Sequence, residues 1–258
     1  MTVALHIQGL RKSFGGVMAV DDVSTHVAPG ECVALIGPNG AGKTTLINLI
    51  SGLIKQDGGS IHLHDTAIHH LPAHRRIRHG LSRTFQITAP YHRLTVRMNM
   101  AITLAAQQTG ATWRWSGSWP ASIDAAADAW LTRLDLQSHA DDLAGTLAYG
   151  DQKRLELGLA LATEPTLLLL DEPMAGVSHE DRSSLMTQAK AVLEQDKPGA
   201  ILFTEHDMAT VFSHADRILV LDQGRLIAAD TPEKIANNDQ VQRIYLGQSG
   251  ASHMVGAG

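Results

Sequence analysis

At 258 residues, with 21 Lys and Arg against 26 Asp and Glu, the chain carries a net charge of −5 and is long enough for one large domain or a domain with a subdomain. The acidic balance argues against life on nucleic acid, which ordinarily asks for a basic excess. A single cysteine, Cys32, excludes a disulfide framework and suits the cytosol; Met1 to Leu10 lacks the pattern of a signal peptide, and no apolar run approaches the roughly 20 residues of a membrane-crossing helix, so any membrane role is peripheral.

Ala4 to Gln8 and Ala19 to Ser24 read as strands around a Phe14-Gly15-Gly16 turn. Phe14, shortly before a glycine-rich loop, serves equally well as a stacking platform for a purine or as a turn aromatic packed on the sheet. Cys32 to Ile36 is a short apolar run suited to a buried strand, and it delivers Gly37-Pro38-Asn39-Gly40-Ala41-Gly42-Lys43-Thr44-Thr45, which fits G-x-x-x-x-G-K-[ST] in full. Lys43 to Ser51 then reads as a helix with Leu46, Ile47, Leu49 and Ile50 on its inner side.

The residue types follow from the task of holding phosphates. Glycines at 37, 40 and 42 let successive N–H groups turn toward one anion, and the following helix aims its positive end at the same point. Lys43 adds a mobile charge for the β- and γ-phosphates; the Thr44 hydroxyl suits the magnesium that accompanies a nucleoside triphosphate, and Asn39 and Thr45 complete the expected nucleotide cradle.

Gly58-Gly59 is expected to turn the chain into a strand from Ser60 to His64. Six of the fourteen histidines fall between His62 and His79; His62 with His64 would share a strand face and His70 with His74 a helix face. No cysteines or carboxylates join them in a ligand set, so they are read as a solvated polar surface. Gly80 to Gln86 forms a further short strand, ending on a glutamine whose amide suits a magnesium ion or a water. A helix with Val96, Met98, Met100, Ala101, Leu104 and Ala105 inward runs from Leu94 to a break near Gly110. Trp113, Trp115 and Trp119 read as a loop pinned by its own aromatics, with a partner-binding or membrane-proximal patch as the alternative. Ile123 to Leu136 resumes as an amphipathic helix with Trp130, Leu131 and Leu134 inward.

Leu147 to Gln152 is read as a turn leading into a helix from about Gln152 to Ala162. Thr166 to Pro173 is an apolar strand that delivers two carboxylates at its C-terminal end, where ligands of open α/β sheets collect. Asp171 suits magnesium, directly or through water, and Glu172 suits polarisation of the attacking water. A helix from Glu180 to Gln195 and a strand from Ala200 to Thr204 lead to Glu205-His206-Asp207. His206 is placed to bond a γ-phosphate, to orient water or to cap the next helix, although Asp207 can supply that cap. Arg217 to Leu221 and Arg225 to Ala229 form a hairpin about Gln223-Gly224, a last helical region runs from Pro232 to near Leu246, and Gly250 to Gly258 is expected to fray.

Together these residues resemble the ATP-binding subunit of an ABC transporter over nearly the whole chain. Gly37 to Thr44 matches the Walker A motif, Leu167 to Asp171 the Walker B strand with Glu172 as general base, Gln86 the Q-loop, His206 the switch histidine and Phe14 the adenine-stacking aromatic. Leu147 to Gln152 stands at the family signature. Leu147-Ala148-Tyr149-Gly150, Arg83-Thr84-Phe85-Gln86, Glu205-His206-Asp207-Met208 and Val241 to Gly247 are similar to the ATPases of branched-chain amino-acid importers, a pattern that importers of urea and short amides share. Three departures stand out: Ala148 lacks the usual signature hydroxyl, as in the resembled subgroup; Asp151 replaces the usual Gln or Glu; and Met174 to His179 lacks the usual D-loop ending.

The resemblance implies an α/β fold: a P-loop, RecA-like core with an antiparallel β subdomain over residues 1–86 and 165–235, a helical signature subdomain over 87–164, and a C-terminal helix and tail over 236–258. It implies ATP and Mg2+ as ligands, with magnesium held by Thr44, Gln86 and Asp171. Glu172, His206 and Gln86 are the expected catalytic set. Ala148, Tyr149 and Gly150 are expected to cover the ATP of a second ATPase subunit, identical or related. Two membrane permease subunits, an external substrate-binding protein and a peripheral seat on the cytoplasmic face of the inner membrane complete the expectation, without nucleic acid. Soluble members of the superfamily that act on nucleic acid or ribosomes are the competing reading; they usually carry coiled-coil insertions or paired cassettes, which this chain lacks.

Overall fold

Two kinds of strand in the sequence produce two kinds of sheet. The computed structural model describes residues 3–84, 90–109, 120–172, 179–195 and 199–246. In chain order it contains β1 (Leu5–Phe14), β2 (Val17–Val27), β3 (Cys32–Ile36), α1 (Lys43–Ser51), β4 (Gly58–Leu63), β5 (Thr66–Ala67), α2 (Ala73–Ile77), β6 (Leu81–Arg83), α3 (Val96–Thr109) and α4 (Ala121–Arg133). There follow α5 (Tyr149–Leu161), β7 (Leu167–Asp171), α6 (His179–Gln195), β8 (Ala200–Thr204), α7 (Met208–His214), β9 (Arg217–Asp222), β10 (Arg225–Asp230), α8 (Pro232–Ala236) and α9 (Asp239–Leu246).

β1 begins by alternating buried and exposed residues, the pattern of a strand with one wet face, and lies in an antiparallel sheet of order β2-β1-β4-β5. β3 and β8 are buried along their whole length and β7 along its four leucines, as strands covered on both faces must be. They form the middle of a second sheet of order β10-β9-β3-β8-β7-β6, parallel except for the β9–β10 hairpin.

Residue parity then divides each buried strand between two cores. Val33, Leu35, Leu167, Leu169 and Leu202 face α1 and the antiparallel sheet, joining Leu46, Ile47, Leu49 and Ile50. Cys32, Ala34, Ile36, Leu168, Leu170 and Phe203 face the other way, with α5, α6 and α7. A third cluster holds the helical layer, where Met100, Ala101 and Leu104 of α3 meet Ile123, Ala127 and Leu131 of α4 and Leu155 and Leu159 of α5. The architecture is therefore the expected one: a parallel α/β core, an antiparallel sheet laid over it and a helical layer built from the middle of the chain.

Several local expectations are corrected. Gly58 and Gly59 belong to β4 and are not a turn: Gly59 has φ +83°, and a Cβ there would lie 2.4 Å from the Gly9 carbonyl oxygen of β1, so glycine permits a close strand approach. His64 lies past the end of β4 with φ +49° and does not share a strand face with His62; His70 precedes α2 and does not share a helix face with His74. The final helical region is two helices, broken between Ala236 and Asp239.

The C-terminal end of α1 is closed by an unforeseen residue. Arg76 of α2 is 1% exposed and donates to the carbonyls of Leu49 and Ile50 (2.6 Å each), Leu71 (2.9 Å) and His69 (3.2 Å). It is a cation against the negative end of the helix whose other end forms the glycine-rich cradle. Burial lowers its pKa to about 10. Arg76→Met keeps the bulk but orphans those carbonyls, an expected loss of about 2–4 kcal/mol. Thermal unfolding should show a Tm lower by roughly 5–15 °C; an unchanged Tm would show that water replaces the guanidinium.

Candidate active site

β3 delivers the chain to a loop that only glycine can complete. Gly37 (φ +154°) would place a Cβ 2.1 Å from the Leu221 carbonyl oxygen, and Gly42 (φ +103°) would place one 2.2 Å from that of Ala19. The loop is thus pressed between the ends of β9 and β2, and the β9–β10 turn braces it through the Gly224 N–H, which donates to the Ala41 carbonyl at 2.9 Å. Gly42 caps α1 without a side-chain acceptor, which leaves the first amides of that helix directed into the cradle.

Lys43 is 7% exposed, and its ammonium donates to the carbonyls of Gly37 (2.6 Å) and Pro38 (3.1 Å). Burial pulls its pKa below the usual lysine range, while the charges of Glu172 and Asp171 act against that pull. The cation therefore folds over its own loop within the field of both carboxylates. Asn39, Gly40 and Thr44 are exposed around it, and Thr45 is half-buried. Phe14, 50% exposed with Lys12 Nζ 5.3 Å from its ring centroid, sits on the β1–β2 hairpin whose Ala19 touches Gly42.

Strand order supplies the rest. β8 lies between β3 and β7, so its C-terminal residues stand beside both the cradle and the acidic pair. The Thr204 hydroxyl accepts from the Glu172 N–H (3.0 Å) and donates to Asp171 Oδ1 (2.9 Å), so one side chain fixes the Asp171 carboxylate and the backbone of Glu172. Asp171 Oδ2 is held by Arg83 at 2.8 Å. Glu172 has φ +47°, a left-handed conformation costing a non-glycine residue about 1–2 kcal/mol, and the Thr204 bonds hold it there. Its Oε1 lies 2.7 Å from His206 Nε2. Both side chains remain open to solvent, at 42% and 52% exposure.

His206 does not cap the next helix: Asp207 does, accepting from the Ala209 N–H at 3.2 Å. Glu205, 6% exposed, accepts the His206 N–H at 3.0 Å, and burial raises its pKa above the ordinary glutamate range.

Ala148, Tyr149 and Gly150 lie in the helical layer. Contrary to the expected turn, α5 begins at Tyr149, three residues early, with Ala148 extended at φ −58° and ψ 152° as its N-cap. Alanine offers no capping oxygen, so no side chain at that position accepts from the first amides of α5. Asp151 in that first turn complements the helix dipole and pairs with Arg154 at 3.1 Å. Tyr149 is 49% exposed with Lys153 Nζ 5.1 Å from its ring centroid. Gln86, Trp113 to Trp119 and the stretch from Met174 to Ser178 lie outside the described residues.

The arrangement suits a hard cation bound with phosphate. Asp171 retains carboxylate lone pairs beyond those engaged by Arg83 and Thr204, and Thr44 presents an exposed hydroxyl at the head of α1. Among the described residues no three His, Cys, Asp or Glu side chains converge. Sequence patterns gave Thr204 no role and gave Arg83 only a place in the Arg83-Thr84-Phe85-Gln86 run; what each side chain touches emerges once the strands are ordered.

Comparison with known proteins gives concordant matches. A family model described as ABC transporter matches residues 20–175. The chain is 41% identical over 254 residues to the high-affinity branched-chain amino acid transport ATP-binding protein LivG of Escherichia coli K12, covering 95% of this chain and 98% of that protein. It is 37% identical over the same length to BraF of Pseudomonas aeruginosa, which carries the same description, again covering 95% and 98%. A crystal structure of the ADP conformation of an ATP-binding cassette of an ABC transporter superposes with a TM-score of 0.83 at 28% identity, covering 96% of this chain and 99% of that one.

Proposed function

This chain belongs to the ABC transporter family as an ATP-binding and ATP-hydrolysing subunit, and from that premise we propose that it powers an importer of branched-chain or other hydrophobic amino acids or related small polar solutes. The names of LivG and BraF support the substrate class, and the chain matches both along almost its full length. The observation that carries the catalytic reading is the 2.7 Å contact between Glu172 and His206 at the rim of the Lys43 cradle.

In this proposal ATP lies with its phosphates on the amides of Gly37 to Thr45 and its adenine against Phe14. Lys43 leaves the Gly37 and Pro38 carbonyls for the β- and γ-phosphate oxygens. Glu172 takes a proton from the attacking water, while His206 orients that water and the γ-phosphate. Mg2+, held by Thr44, Gln86 and, directly or through water, Asp171, would supply charge neutralisation of the phosphate oxygens. The uncapped start of α5, with Ala148, Tyr149 and Gly150, covers the ATP of a second ATPase subunit, and closure places the tetra-anionic nucleotide between two helix N-termini. Residues 1–86 with 165–235 are the proposed core and 87–164 the proposed signature subdomain, joined through α5, whose Leu157, Ala160 and Leu161 pack into the core.

No helix among the described residues is long and apolar enough to cross a membrane. The proposed seat is therefore peripheral, on the cytoplasmic face against two permease subunits that receive solute from an external binding protein. Purification of the tagged chain from membranes tests this. Two multi-spanning proteins should co-purify, and branched-chain amino acid with the binding protein should stimulate ATPase activity in the reconstituted complex. Co-purification of RNA or DNA without permeases would overturn it.

A further inference from the structure

Arg83 is buried to 1% exposure at the last residue of β6, where a cation is costly unless it does something that an apolar side chain cannot. Burial lowers its pKa, and Asp171 opposes that fall. Its guanidinium spans two elements that carry different parts of the site. One arm reaches Asp171 Oδ2 at 2.8 Å, at the end of β7; the other reaches Asn48 Oδ1 at 2.7 Å and Ser51 Oγ at 2.9 Å, on α1. α1 begins at the cradle, so the fork joins the helix that holds phosphate to the strand that holds the acidic pair. Thr204 occupies the other oxygen of Asp171 at 2.9 Å. The carboxylate is thereby clamped from both sides, and its remaining lone pairs have a fixed direction relative to Thr44.

We propose that Arg83 is a positioning residue that holds Asp171 in register with α1 so that the site can take the magnesium ion of the bound nucleotide. The proposal rests on the reading of the cradle as a Mg2+–nucleotide site. Its physical content is geometric: a planar fork can bond Asp171 and α1 at once, whereas a lysine ammonium is a point charge that keeps the charge and loses the span. Outer partners that orient a metal-binding carboxylate typically set about 10–100-fold of metal affinity.

The test is binding of a fluorescent ATP analogue to the full chain, titrated with MgCl2, in a Glu172→Gln background that suppresses hydrolysis. Arg83→Lys is expected to raise the Mg2+ concentration at half-saturation about tenfold or more, with nucleotide affinity in EDTA changed by less than about twofold. Asn48→Ala, which removes one anchor of the fork and leaves Arg83 in place, should move the Mg2+ midpoint in the same direction by a smaller factor, and it serves if the lysine variant does not fold. In an Asp171→Asn background, Arg83→Lys should cause no further shift. A lower Tm with an unchanged Mg2+ midpoint in both variants would make Arg83 merely structural and overturn the proposal, as would additive shifts with Asp171→Asn. Nucleotide binding by the parent chain that ignores Mg2+ would overturn the reading of the cradle itself, which separates the two failures.

Discussion

Glu172→Gln is expected to lower ATP turnover by about two to four orders of magnitude while leaving nucleotide binding intact, the size of effect that loss of a general base produces. The geometry explains why the effect should be confined to the chemical step. The backbone of residue 172 is held at φ +47° by bonds from its own N–H to Thr204, and these do not depend on the side chain. Glutamine is nearly isosteric and can still meet His206 Nε2, so the rim of the site keeps its shape while losing the oxygen that accepts a proton from water. Steady-state phosphate release measured beside equilibrium ATP binding checks both halves. Near-normal turnover would remove Glu172 from the role of base.

Lys43→Ala is expected to weaken ATP binding itself, by about one to two orders of magnitude, as loss of a hydrogen-bonding charge from a desolvated phosphate site does. The lysine is 7% exposed and lies against the Gly37 and Pro38 carbonyls of the loop itself. Its removal takes from Glu172 and Asp171 a cation whose field opposes theirs and leaves Arg83 alone beside Asp171, which adds repulsion toward the triphosphate. The loop should survive, because its shape is set by Gly37 and Gly42 against the Leu221 and Ala19 carbonyls and not by the lysine. Isothermal titration with ATP and Mg2+ provides the measurement; an unchanged affinity would show that the amides alone carry the phosphates. The two variants separate the roles: the first retains ATP without cleaving it, the second fails to retain it.

Much of this site was legible before any coordinates. The cradle can be read because its physics is local: the glycines, Lys43 and Thr44 act within one loop and one helical turn, so their spacing along the chain is their spacing in space. The leucine run ending in Asp171 and Glu172 was legible for the same reason, since a strand buried on both faces has a composition of its own. Tyr149 and Gly150 resemble turn residues, whereas in the structure they open α5, whose first turn is closed by the Gln152 N–H on the Ala148 carbonyl at 3.0 Å. Gly59 was misread because its use is a contact with Gly9, 50 residues away in the chain.

The sequence by itself determined the parts: a glycine-rich loop carrying Lys43, the acidic pair Asp171 and Glu172, and His206, each at the end of an identifiable strand. The tertiary structure alone decided how they meet. Inserting β8 between β3 and β7 places Thr204 on Asp171 and Glu172 and brings His206 to Glu172, while β6 at the edge brings Arg83 to Asp171. The physical reason is that strand order is chosen by the summed burial of many interchangeable apolar side chains on two faces, and no short stretch of residues records that sum.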